Sequence, residues 1–390
     1  MSTSIKVYAI RFSSATINVK GMNLDNMKKK NVLQILNYSA VYRGNFIDSL
    51  AELGNSLKEK DIQMSYLFCS QAKDGESYNW IKEMKLSGDI IDFYFGKILK
   101  DIKLTREIIK KHNISIVHVH FFSAKLLFIV KMATIGKNVK IILHFHNHPQ
   151  KANNALKSSI RELIYKKCIL IGVSHSVFSS LKRYYPRNTS YEVENAIKFS
   201  RIDTYETLNR KDFGLSDTSY LCLIFGFDYY RKGVDIAIKA ISAAREAGKD
   251  ICLMVSLSTN HSSIKETIES EFGGFPDWIK LVKARNDVAS YYYMADAFLS
   301  PSREEGFCYS VIEAAYCGCT VIASRIPAQE DLVVPESKWF ESENIEELAE
   351  LIREAADNKT SITEEQIIQL RNRYNISKWV KQILRIYKKG

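Results

Sequence analysis

Apolar and polar positions follow two rhythms along this chain. Short apolar runs recur, and between them lie longer stretches in which apolar residues return every three or four positions, so strands should alternate with helices. The first strands are expected at 31–38, 62–68, 114–120, 139–145 and 169–173, with helices at 46–58, 99–111 and 123–133 and one more opened by Ser174-His175-Ser176. The rhythm restarts at 220–225. A helix over 233–247 places Val234, Ala237, Ile238 and Ile241 on one face and stops at Gly248. Strands at 251–255 and 279–282 and a short helix at 288–294 lead to a strand–loop–helix–strand unit over 297–324, and helices follow at 345–356, 364–374 and 377–387. This is an α/β pattern with parallel sheets covered by helices on both faces. A chain of 390 residues exceeds one ordinary core and fits two domains, with a boundary near 195–205. Residues 1–30 fit two readings, a strand at 5–12 or a polar leader running to Lys28-Lys29-Lys30.

Composition narrows the class. The residues are 46% hydrophobic and 11% aromatic, as in a globular chain. No apolar run approaches the ~18 residues that span a bilayer, and the first twenty residues lack the apolar stretch of a signal peptide. The expectation is a cytoplasmic protein. The seven cysteines form no C-x-x-C pair and read as buried reduced thiols. The net charge of +11 is unevenly placed: residues 1–200 carry 31 Lys+Arg against 15 Asp+Glu. Nucleic acid and an anionic membrane surface are the two partners such a half could meet; no RRM-like or zinc-finger motif supports nucleic acid. Lys97, Lys100, Lys103, Arg106, Lys110 and Lys111 alternate with Ile98, Leu99, Ile102, Leu104, Ile108 and Ile109. That mixture fits a helix lying on a bilayer and equally an ordinary helix with one buried face.

The most informative stretch is 300–318. Glu305 stands in a loop with Gly306, and Glu313 lies in the apolar helical run that follows. A loop at a strand's carboxyl end feeding a helix amino end is where α/β sheets bind phosphorylated ligands, and two carboxylates there can accept hydrogen bonds from a polyhydroxylated ligand. Pro301, Ser302, Glu305, Gly306, Phe307, Glu313, Ala314, Gly318, Val321, Ile322, Ala323 and Ser324 together resemble the E-x7-E signature of retaining, nucleotide-sugar-dependent glycosyltransferases of family 4. Cys308 replaces a glycine of that signature, Tyr316 an alanine and Thr320 a proline. The resemblance implies the GT-B architecture: two Rossmann-like domains facing across a cleft, here 1–200 on the acceptor side and 201–374 on the donor side, with 375–390 a helix crossing back to the first domain.

The same resemblance assigns the site. Glu313 would hold the nucleotide ribose and Glu305 the sugar hydroxyls, while backbone amides of Phe307, Cys308, Tyr309, Ser310 and Val311, with Gly306, would cap the phosphates. Arg231-Lys232-Gly233 resembles the family's basic segment and would meet the diphosphate, for which an arginine fork and a lysine point charge both suit. The arginine often found after that segment's first glycine is Phe227 here, and Arg231 is the candidate to replace it. Gly44 stands in the place of the family's first glycine loop, and residues 193–197 in that of its interdomain hinge. A histidine after the strand at 139–145 would lie near the reacting sugar: His146 fits best, with His144 and His148 competing, and His120 resembles an acceptor-side element. Alternate histidines share a strand face, so a metal site is conceivable, though no carboxylate or cysteine joins them at ligand spacing; the resemblance implies transfer with no metal and no cofactor. The implied activity moves a hexose from a nucleotide diphosphate sugar to a saccharide or lipid-linked acceptor in capsular, exopolysaccharide or cell-wall synthesis, at an anionic membrane. A GT-B sugar-nucleotide epimerase, a phosphorylase and a non-catalytic nucleotide-sugar or nucleic-acid binding module are the rival readings.

Overall fold

The computed structural model describes residues 30–86, 88–150, 161–258, 261–358 and 362–389. The expected strand at 5–12 and the run through Lys28 and Lys29 lie outside them. The apolar runs form two all-parallel sheets. The first has seven strands in the order β3-β2-β1-β4-β5-β6-β7: β1 Asn31–Leu36, β2 Met64–Phe68, β3 Ile90–Phe93, β4 Ile114–His120, β5 Lys140–Phe145, β6 Cys168–Gly172 and β7 Ser190–Glu192. The second has six in the order β10-β9-β8-β11-β12-β13: β8 Tyr220–Phe225, β9 Ile251–Leu257, β10 Ile279–Lys283, β11 Ala297–Ser300, β12 Thr320–Arg325 and β13 Lys338–Glu341. Each is a Rossmann-like doubly wound sheet, the architecture that the signature implies. Three strands that the pattern leaves unread, β3, β7 and β13, are all sheet edges of three or four residues. An edge strand is covered on fewer sides and needs less continuous apolar sequence.

In both sheets the winding reverses in the middle, between β1 and β4 and between β8 and β11. Crevices at such reversals are where open α/β sheets take their ligands. Gly44 opens the helix that follows the loop after β1, and the loops after β8 and β11 carry Arg231 with Lys232 and Glu305 with Gly306.

Two chain segments tie the domains together. Ile197, in the crossing out of the first domain, pairs in parallel with Asn375, in the crossing back, and its N–H donates to the Tyr374 carbonyl at 2.9 Å. Asn375 then caps the terminal helix Ile376–Lys388, its side chain accepting from the Ser377 N–H. Trp379, Val380, Ile383, Leu384 and Tyr387 repeat at helical spacing and are buried. They pack on the first sheet, in one cluster with Val32, Leu36, Ile116, Ile142 and Ile171.

The basic helix Ile98–Lys111 buries Asp101, Thr105, Ile108 and Ile109. Leu99 (82% exposed), Phe95 and Ile98 stand in solvent near its start. No helix among the described residues is long and apolar enough to cross a membrane.

Leu384 is fully buried beneath the terminal helix. Leu384→Ala is expected to cost about 2–5 kcal/mol of stability, read as a fall in the denaturant midpoint with unchanged slope. A loss below ~0.5 kcal/mol, the scale of surface changes, would show that the helix does not belong to the folding unit of the first domain.

Candidate active site

The loop between β11 and the helix Tyr309–Tyr316 is built by buried polar contacts. The Ser302 hydroxyl donates to Glu305 Oε1 at 3.0 Å, and Ser324 Oγ donates to the Ser302 carbonyl at 2.7 Å. Gln329 Nε2 reaches Ser300 Oγ at 2.5 Å. Arg303 holds Asp235 through both guanidinium arms, at 2.9 and 2.8 Å, and thereby fixes this loop to the start of the helix Val234–Glu246. Gly233 lies at a φ of 70°, and a Cβ there would stand 2.0 Å from the Pro301 carbonyl oxygen. Only glycine admits both the left-handed backbone and that approach.

The two cations converge on Glu305. Lys232 Nζ lies 2.5 Å from its Oε1 and Arg231 Nη1 3.5 Å from its Oε2. Arg231 is further held by Asp228 at 2.8 Å. Phe227, which stands where an arginine is usual, lies beneath both cations, its ring centroid 5.4 Å from the Arg231 guanidinium and 4.7 Å from Lys232 Nζ. An aromatic face attracts such cations and holds them close without adding charge. Cys308 is the N-cap residue of the helix Tyr309–Tyr316, buried among Ser300, Ser310 and Gln329. The amides that follow it form the helix's amino end, where orphan N–H groups and the helix dipole favour anions. Phe307 packs its ring on Tyr309 and Tyr374, and Val311 is fully buried.

Glu313 is buried, not on the helix surface. Its Oε1 accepts from Asn45 Nδ2 of the other domain at 2.5 Å, and its Oε2 from the Tyr292 hydroxyl at 3.1 Å. Arg201 lies 4.0 Å away and also meets Asp48, which draws Arg43 at 2.9 Å. Burial pushes the Glu313 carboxyl above its ordinary range, against the pull of Arg201 and the two hydrogen bonds. Asn45, Asp48 and Arg201 are missing from the sequence reading. Asn45 follows Gly44 and Arg201 follows the hinge, but neither position shows in the pattern of the chain that it meets Glu313. Gly44 itself takes a φ of 63° where the helix Gly44–Lys58 begins.

The domains touch at the site. A Cβ on Gly306 would stand 1.8 Å from the His146 carbonyl oxygen, so this glycine admits the strand-end backbone of the facing domain. The Tyr42 hydroxyl donates to the Ala284 carbonyl across the same seam. His146 is half-buried, stacked on Phe121 at 4.1 Å and edge-on to Phe46 at 4.8 Å. It lines a cavity of about 410 Å³ with Phe121, His148, Arg161 and Tyr165. His144 also borders this cavity but is fully buried, and His148 bonds to Ser180 Oγ at 3.1 Å. Burial and the neighbouring imidazoles hold His146 and His120 well below their usual pKa, and His144 is lowered to about 3.

His118, His120 and His144 bring ring nitrogens within 4.8 Å of one another. Both His120 nitrogens have partners, in His146 and Gln34, whereas His118 Nε2 and both His144 nitrogens are buried with no hydrogen-bond partner among the described residues. Coordination of a metal by all three rings would break one of the two His120 hydrogen bonds.

Residues 206–374 match the family described as glycosyl transferases group 1, and residues 49–199 match Glycosyltransferase Family 4. The chain is 23% identical over 308 residues to the capsular polysaccharide biosynthesis glycosyltransferase CapH of Staphylococcus aureus, covering 75% of this chain and 81% of CapH. Further relatives, O-antigen biosynthesis glycosyltransferases of Escherichia coli, are matched over 49% of their own length. Among solved structures it is similar to a glycosyltransferase from Rickettsia africae ESF-5, with a TM-score of 0.74 at 18% identity, covering 92% of this chain and 98% of that one. It is also similar to Anabaena HepE in complex with UDP-glucose, with a TM-score of 0.73 at 13% identity, covering 92% and 99%. The chain is a glycosyltransferase of GT-B architecture.

Proposed function

We propose that this enzyme transfers a hexose from a nucleotide diphosphate sugar to a hydroxyl of a growing surface glycan, with retention at the anomeric carbon. The observation that carries the proposal is the convergence of Arg231, Lys232 and Glu305 beside the amino end of the helix Tyr309–Tyr316. Two cations and a helix amino end suit the charge that develops on a departing diphosphate. Glu305 is placed to accept hydrogen bonds from the sugar and Glu313 from the ribose. The bond from the anomeric carbon to the phosphate oxygen breaks, the acceptor oxygen bonds to the same face, and the acceptor's proton passes to the departing phosphate. CapH supports a capsular setting, and the UDP-glucose complex of HepE supports a nucleotide-sugar donor. The acceptor is a saccharide, lipid-linked in this reading and presented at the cytoplasmic face of an anionic membrane. The exposed Leu99 and Phe95, flanked by Lys97, Lys100 and Lys103, support that last element. No metal takes part, since cations of the chain itself face the leaving group.

A panel of UDP-, GDP- and dTDP-sugars, with product mass and anomeric configuration as readouts, identifies the donor and tests retention. Lys232→Ala and Glu305→Gln are expected to lower kcat about 10²–10³-fold, and EDTA to leave turnover unchanged. Unchanged turnover in both variants would remove this cluster from the reaction. An inverted product would overturn retention.

Binding to anionic vesicles is expected at low salt and should weaken as salt rises, each basic residue near the surface contributing about 1 kcal/mol. A protein that binds neutral and anionic vesicles equally would overturn the membrane element.

Glu313 gives a pH-dependent stability signature. Its folded-state pKa lies above the ordinary 4.5, so the folded chain binds this proton more tightly than the unfolded chain. That contribution is complete below 4.5 and is lost as pH rises through the raised value. Glu313→Gln, uncharged throughout, should therefore be more stable than the parent near neutral pH, with the gap closing on acidification, while donor binding is lost. Denaturant midpoints across the acid range check this; a variant less stable at neutral pH would mean that Arg201 outweighs desolvation.

A further inference from the structure

One face of the first sheet carries a buried polar stripe beneath the apolar terminal helix. In β1, Val32, Gln34 and Leu36 point toward that helix; in β4, Ile116, His118 and His120 share the face, and in β5, Ile142 and His144 do. Gln34 and the histidines are fully or almost fully buried. Burial keeps these imidazoles neutral, so each has one N–H and one acceptor nitrogen, and in His120, both of whose nitrogens are hydrogen-bonded, the partners decide which is which.

The bonds form a directed chain. Gln34 Nε2 has two acceptors on one side, the Tyr387 hydroxyl at 2.9 Å and Met64 Sδ at 3.3 Å. A side-chain amide turned the other way would set its oxygen against that sulfur and leave the sulfur without a donor. Gln34 Oε1 therefore faces His120 Nε2, 2.9 Å away, and His120 must carry its proton there. His120 Nδ1 is then an acceptor, and His146 Nε2, 3.1 Å from it, must donate. We infer that Met64, Gln34, Tyr387 and His120 act as positioning residues that hold His146 in the Nε2–H tautomer. His146 then presents Nδ1 as a hydrogen-bond acceptor for a substrate hydroxyl. This deepens the proposed function and rests on it for the identity of that hydroxyl, as one of the donor sugar. The tautomer itself is independent of it.

The test is nitrogen-15 NMR of the histidine rings in the unliganded full chain, with the His146 signals assigned by His146→Ala. In the parent, His146 and His120 are expected to carry their protons on Nε2. Gln34→Met keeps the bulk of the side chain and removes the acceptor. His120 should then move its proton to Nδ1 and donate to His146 Nε2, shifting the His146 proton to Nδ1. Tyr387→Phe removes one of the two acceptors that orient the amide and should give a mixture of both His146 tautomers. It also serves if Gln34→Met does not fold. A parent His146 protonated on Nδ1, a His120 ring bound to metal, or variants that leave both tautomers as in the parent would each overturn the inference.

Kinetics separate positioning from mere folding. Gln34→Met should lower kcat/KM about tenfold, the loss of one hydrogen bond to substrate, and should cost nothing further in a His146→Ala background. Additive losses would assign Gln34 a purely structural role. If no donor is turned over by the parent, the function fails while the tautomer result stands. If transfer is robust and His146 has the other tautomer, only the present inference fails.

Discussion

Glu313 is a carboxyl group taken out of water at the seam between two domains, and much of the surrounding structure compensates for it. Desolvation disfavours its charge, which Asn45, Tyr292 and the more distant Arg201 only partly restore. Breaking up such a group strands charge, but its presence is weak evidence of stabilisation. Stability comes instead from the apolar clusters on both sheets and under the terminal helix. The seam is costly in folding terms, and the proposed reaction would draw on it, because oriented polar groups in a closed site need little reorganisation when charge moves. The same logic covers Glu305, where Lys232 and Arg231 converge on one carboxylate above the ring of Phe227.

How much of this was legible in the chain depended on whether a partner was local. Strands buried on both faces, such as Cys168–Gly172 and Tyr220–Phe225, declare themselves as continuous apolar runs, whereas Ser190–Glu192 and Lys338–Glu341, short and at sheet edges, do not. The loop with Glu305 and Gly306 was legible because strand, loop and helix follow one another within a few residues. The contact between Asn45 and Glu313 was not, since it joins positions 268 residues apart and exists only once the domains close. Gly306 shows both sides of this limit. Its place in the motif marks it for a ligand loop, but the reason a side chain is excluded is the His146 carbonyl of the other domain.

The histidines show the limit most sharply. Their alternation on β4 and β5 predicts a shared face, but a period of two cannot say what that face meets. The answer lies at the far end of the chain, where the terminal helix brings the Tyr387 hydroxyl 2.8 Å from His118 and 2.9 Å from Gln34. A polar stripe under an apolar helix keeps the desolvation cost of every group that stays unpaired, here His118 Nε2 and the ring of His144, and Tyr387 supplies a partner to two of the others, His118 Nδ1 and Gln34. Docking of the helix therefore does two things at once: it buries Trp379, Ile383 and Leu384 on the sheet and supplies the hydroxyl that orients Gln34. Because both come from one rigid element, fraying of the last turns would loosen the core and release the proton order of the stripe together. The stability of the first domain and the state of the imidazole at its cleft are thus consequences of the same packing, set by residues that follow the whole second domain in sequence.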